Sequence, residues 1–193
     1  MQTLKIVVLI SGSGSNLQAI INAIKENRLD AEISVVICNN ADAYGLKRAH
    51  SESIPTEIID HRLFESRELF DQQLIKVIDH YKAELIVMAG FMRILSDGFI
   101  KHYKNRMINI HPSLLPKYKG LNTHERVLES GDEEHGLTIH YVTTELDSGP
   151  ILKQVKIKIN KGDTKEVLAA RILQLEHIAY PEVIQCIAKQ KTI

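Results

Sequence analysis

Residues 4–10 are almost all β-branched or aliphatic, and they stop at the small residues Ser11, Gly12, Ser13, Gly14 and Ser15. Leu17, Ile20, Ile21 and Ile24 then recur at helical spacing. A short, mostly apolar run bounded by turn residues fits a strand buried on both faces, and parallel sheets bury their strands that way. A tight turn of small residues feeding directly into a helix fits the same unit. Two further runs, at 33–38 and 85–88, repeat the strand signal. Phe70, Leu74, Ile75 and Ile78 repeat the helical one, with Ser66 placed as its cap. Such crossovers are right-handed and bring functional loops to the carboxyl edge of the sheet.

After Pro116 the pattern changes to a loop containing Gly and Lys, a short helix near 123–129, and two strand candidates at 137–142 and 151–159. These strands predict a hairpin-like extension of the sheet. Asp163 to Glu166 has capping-box spacing ahead of a long helix through Val167, Leu168, Ile172 and Leu175, which Pro181 is expected to kink or restart. The expected class is α/β, a Rossmann-like three-layer fold with a mostly parallel sheet. A chain of 193 residues can bury one good core, so one domain spanning 1–193 is expected.

The 24 Lys and Arg residues balance the 24 Asp and Glu residues, leaving no overall field to attract nucleic acid or an anionic membrane. Apolar residues are 44% of the chain and are spread along it, and residues 1–10 lack a leader-like cleavage site, so a soluble cytoplasmic protein is expected. Cys38 and Cys186 have no metal-ligand spacing and are expected to be reduced core thiols.

Gly12 to Asn16 would present free backbone amides at a helix start, where an anion such as a phosphate fits. Leu17 stands where a dinucleotide fingerprint needs Gly, and no Walker lysine is present. The turn alone leaves a phosphate site and a turn capped by Ser15 or Asn16 equally open. If 107–111 is a strand, Asn109 and His111 share a face, an amide donor beside a proton carrier. That pair suits acyl chemistry, in which an oxyanion needs a neutral donor and an attacking amine must lose a proton. Asp147 could hold the imidazole and raise its basicity. A buried polar strand end is the plainer reading of the same residues. His124, His135 and His140 lie at spacings unlike zinc patterns, so no metal is expected.

Four strings carry a resemblance: 10–20 around Gly14, Ser15 and Asn16; 89–96 around Met92, Arg93, Ile94 and Leu95; 109–118 from Asn109 through His111; and 145–150 around Asp147. In this order they resemble the folate-dependent formyltransferases, and the Gly-rich turn ending in Ser15 and Asn16 resembles the ribonucleotide-using branch. The resemblance runs from about Ile6 to the string 176–181. It implies direct formyl transfer from 10-formyltetrahydrofolate, a co-substrate and not a bound cofactor, to the amine of glycinamide ribonucleotide in purine synthesis. It implies Asn109, His111 and Asp147 as catalytic residues, with Gly14, Ser15 and Asn16 at the phosphate and Glu176 at the ribose hydroxyls. Arg67, Met92, Arg93, Ile94, Leu95 and Asn109 face folate, and 142–147 closes that pocket. Residues 1–108 would then form the phosphate-binding part and 109–193 the catalytic and folate-binding part. Lys119, Asn122 and Ser148 depart from the family pattern. The expected partners are these small molecules, without nucleic acid or membrane. Formyltetrahydrofolate deformylase and methionyl-tRNA formyltransferase share the fold but add a regulatory or RNA-binding domain for which 193 residues leave no room. A non-catalytic nucleotide-binding module would not need Asn109, His111 and Asp147 together.

Overall fold

The computed structural model describes residues 3–190. Seven strands form one sheet in the order β3-β2-β1-β4-β5-β6-β7. They are β1 (Leu4–Ile10), β2 (Ala31–Cys38), β3 (Thr56–Ile58), β4 (Leu85–Met88), β5 (Met107–His111), β6 (Glu134–Tyr141) and β7 (Ile151–Lys158). The first five are parallel, whereas β6 runs antiparallel to β5 and β7 antiparallel to β6, so the expected hairpin extension is present. The helices are α1 (Ser15–Lys25), α2 (Tyr44–Ser51), α3 (Arg67–His80), α4 (Asp97–His102), α5 (Thr123–Ser130) and α6 (Lys165–Gln190).

Alternation along β1 builds the three layers. Ile6, Val8 and Ile10 face Leu17 and Ile20 of α1, Leu46 of α2 and Tyr180 of α6, while Val7 and Leu9 face Phe70 and Leu74 of α3 and Phe99 of α4. Fully burying each such aliphatic side chain stabilises the fold by roughly 1.5–3 kcal/mol. The order of strands reverses direction between β1 and β4, and ligands of open α/β sheets bind in the crevice beyond such a switch point. The loops after both strands meet there, where the Met92 backbone N–H donates to Ser11 Oγ at 2.8 Å.

Several expectations need correction. Pro181 does not restart α6, which is one helix through Gln190. Its buried residues lie on both sides of the proline, and the Tyr180 hydroxyl donates to the carbonyls of Met88 and Ile108 at 2.9 and 3.2 Å, fixing α6 across the sheet at that point. The cap of α6 is Thr164, whose Oγ1 accepts from Val167 N at 3.4 Å, whereas Asp163 accepts from Asn160 N and pairs with Arg171. Cys38 is buried, but Cys186 lies on the exposed side of α6 and is no core thiol.

Candidate active site

Strand β5 lies between β4 and β6, and its register sets Asn109 opposite His140 and His111 opposite Thr138. Asn109 Nδ2 lies 3.4 Å from His140 Nε2, and His140 Nδ1 lies 2.9 Å from the Tyr141 carbonyl. A carbonyl can only accept, so Nδ1 carries the proton and Nε2 accepts from the Asn109 amide. Burial pushes the His140 pKa down, which keeps the ring neutral and holds the amide in one orientation. His111 is buried, with Nδ1 3.4 Å from Asp147 Oδ2 and Nε2 2.9 Å from the Tyr118 carbonyl. Both ring nitrogens therefore face oxygen acceptors, an arrangement fully satisfied by a ring protonated on both.

Asp147 reaches this position on the loop between β6 and β7, with φ at 48°. Its Oδ2 also accepts from Gly120 N at 2.9 Å, and its Oδ1 lies 3.7 Å from His140 Nε2. Two residues on, the loop folds back so closely that a Cβ at Gly149 would sit 1.7 Å from the Tyr141 carbonyl oxygen, so only glycine fits. The carboxylate thus stands between two imidazoles and below segment 117–122, which crosses the site as a strap. Lys119 Nζ ties that strap to Glu145 at 2.9 Å and also to Ser148 Oγ.

Asn109 and Asp147 open onto a small pocket of about 80 Å³ whose other walls include Arg93, Ile94, Leu95, Val142 and Leu146. Its mixture of apolar walls and few polar groups suits a flat heterocycle. Ile94 is 63% exposed within it, an apolar wall without a cover. Asp71, buried on α3, accepts from Ser96 N at 2.6 Å and so anchors the segment that carries Arg93 to Leu95. Met92 and Arg67 are not brought into the pocket wall. The Met92 side chain is exposed while its backbone is tied to Ser11, and Arg67 lies on the exposed first turn of α3, its Nε 3.7 Å from Glu68.

At the first turn, Gly14 is the N-cap of α1 with φ at 68°, and no side chain caps the helix. Neither Ser15 nor Asn16 serves as the cap, which leaves the first amides of α1 available to an anion. A Cβ at Gly14 would lie 2.6 Å from Gly45 Cα, so this glycine also sets how closely α2 approaches the turn. Glu176 does not face an open groove. It is buried, accepts from Asn16 Nδ2 at 2.7 Å, and has its carboxyl pKa pushed up by that burial.

His140, weighed in the sequence only as a metal ligand, and the backbone of 118–120 are groups at the site that the sequence did not connect with Asn109, His111 and Asp147. His124 and His135 pair with each other, Nδ1 to Nε2 at 3.0 Å, behind the strap.

A Rossmann-like sheet that brings Asn109, His111 and Asp147 together beside a small, partly apolar pocket fits the class of group-transfer enzymes. The chain belongs to the formyl transferase family, whose family model matches residues 4–184. Phosphoribosylglycinamide formyltransferase of Escherichia coli is 51% identical to it over 96% of this chain and 87% of that protein. The solved phosphoribosylglycinamide formyltransferase of Coxiella burnetii superposes with a TM-score of 0.95 at 58% identity, covering 98% of this chain and 89% of that one. The trifunctional purine biosynthetic protein adenosine-3 of Gallus gallus is 45% identical over 95% of this chain, which spans 18% of that much longer protein.

Proposed function

We propose that the protein transfers the formyl group of 10-formyltetrahydrofolate to the amine of glycinamide ribonucleotide, giving formylglycinamide ribonucleotide and tetrahydrofolate. The supporting observation is that Asn109 and Asp147 line the same pocket as Arg93 to Leu95, with His111 3.4 Å from Asp147. The amine nitrogen adds to the formyl carbon to give a tetrahedral intermediate, which collapses with cleavage of that carbon's bond to folate N10. Asn109 Nδ2 and the protonated His111 donate to the oxyanion. For this, His111 Nε2 exchanges the Tyr118 carbonyl for the substrate oxygen. The proton lost by the attacking nitrogen reaches N10 through His111 and water, while Asp147 orients the ring. No side chain need carry the formyl group, because holding both substrates together supplies much of the acceleration.

In this reading the pterin lies against Ile94 and Leu95 with its edge on backbone groups of 92–95, the phosphate sits at Gly14 to Asn16, and the ribose approaches Glu176. The substrates are small and the proposed setting is the cytoplasm, without nucleic acid or membrane partners. The test is to mix the protein with 10-formyltetrahydrofolate and, separately, glycinamide ribonucleotide, charged initiator tRNA or water alone. Tetrahydrofolate release with the ribonucleotide only is the expected result. Release with water alone, or with the tRNA, would assign a deformylase or a tRNA-directed enzyme instead.

A further inference from the structure

A turn of small residues becomes an anion site only if its carbonyls face away from the anion, and here helix α2 turns them away. The Gly12 carbonyl accepts from Gly45 N at 3.0 Å, and the Ser13 carbonyl accepts from Arg48 Nε at 2.9 Å. Arg48 Nη1 donates to Gln18 Oε1 at 3.2 Å, and the guanidinium lies over the Tyr44 ring at 4.9 Å, so it is held from three sides. Yet among the described residues no carboxylate lies within salt-bridge distance of it, and Nη2 makes no hydrogen bond. The other arginine in the same hollow, Arg28, is matched by Glu26 at 2.6 Å. A rigidly placed guanidinium with unused donors suits a phosphate, whose oxygens accept the two-pronged fork.

The opposite wall of this hollow comes from α6. His177 follows Glu176 there, lines the same space as Ser15 and Arg48, and has a buried Nε2 without a hydrogen-bond partner among the described residues. A buried unpaired ring nitrogen is costly unless a ligand completes it. Burial, reinforced by the Arg48 charge, lowers the His177 pKa, so the ring offers a neutral donor beside the cation without repelling it.

From this juxtaposition we infer that Arg48 and His177 form the side-chain half of the phosphate subsite, with Arg48 as its cation and His177 as a donor from the opposite wall. The inference rests on the reading that the Gly14 to Asn16 turn takes the ribonucleotide phosphate. Arg48 thereby does two things at once: it withdraws the Ser13 carbonyl from the anion's path and offers its free edge to the phosphate oxygens. Neither residue touches the reacting atoms, so both act on substrate selection and not on the chemical step.

The experiment compares wild type, Arg48→Lys, Arg48→Met and His177→Leu in two measurements. The first is formyl transfer to glycinamide ribonucleotide and to the same compound lacking its phosphate. Arg48→Met should raise KM for the ribonucleotide roughly tenfold to a hundredfold, with kcat within about threefold and transfer to the dephosphorylated compound unchanged. Arg48→Lys should recover part of the loss, and His177→Leu should show a smaller loss of the same kind. An unchanged ribonucleotide KM in Arg48→Met, or an equal loss with the dephosphorylated compound, overturns the inference. The second measurement is calorimetric binding of ribose 5-phosphate, which does not depend on formyl transfer. Weaker binding in Arg48→Met than in wild type sustains the inference even if the proposed reaction is wrong. Equal binding in both, or none in wild type, overturns it.

Discussion

Asp147 has the most demanding position of any side chain in the site, held in a left-handed turn while its carboxylate meets His111, Gly120 N and His140. If it orients the imidazole and touches neither substrate, Asp147→Asn should lower kcat by roughly two to four powers of ten and leave both KM values within about threefold. A steady-state comparison checks this, and a variant that loses only substrate affinity would place Asp147 in binding instead. Asn109, His111 and Asp147 were legible because strand alternation and local motifs point to them. His140 was not, because its role comes from the β5 to β6 register, a pairing between distant parts of the chain. The Tyr118 carbonyl and Gly120 amide carry no side-chain signal at all. Glu176 was expected to face the ribose hydroxyls, and its burial against Asn16 comes from the packing of α6 on α1, which no local pattern shows.

The strap 117–122 and the loop after β6 are coupled by the lysine, glutamate and serine contacts across the pocket mouth. Arg126 of α5 holds the same strap, with Nη1 donating to the carbonyls of Lys119 and Leu121 at 2.6 and 3.2 Å. Exposed ion pairs contribute little, so Lys119→Ala should loosen the strap without releasing it. Hydrogen exchange at the Gly120 amide should quicken by a fewfold, and unchanged exchange would show that the Arg126 contacts alone set its opening. The long elements β1, α1, α3 and α6 were readable from their apolar period. Helix α2, strand β3 and helix α4 were not, since each is too short to establish a period. Gly45 shows the cost of missing α2, because its N–H holds the Gly12 carbonyl of the first turn at 3.0 Å. Pro181 was read as a kink or a restart because a local rule was applied without knowing that α6 is fixed to the sheet through Tyr180.

Two hydrophobic clusters on either face of one continuous sheet hold the molecule together, and the expected α/β class follows from the strands that supply them. Acid should weaken it through His135, which is buried with its pKa pushed down to about 4 from 6.5, mainly by desolvation and then by His124 and His111. The folded state takes up this proton later than the unfolded chain. Its contribution is therefore complete above the unfolded value and lost as pH falls from about 6.5 toward about 4, a loss of at most about 3 kcal/mol. Urea unfolding of wild type and His135→Gln across that window should give a shallower pH slope for the variant, and parallel slopes would refute the assignment. The account as a whole stands on direct transfer between two bound substrates, and a single turnover with an isotopically labelled formyl group on folate tests it. The account predicts label on the ribonucleotide amine at the rate of tetrahydrofolate release, with none bound to protein at any time. Labelled protein preceding the product, or folate release without a labelled amine, would contradict it.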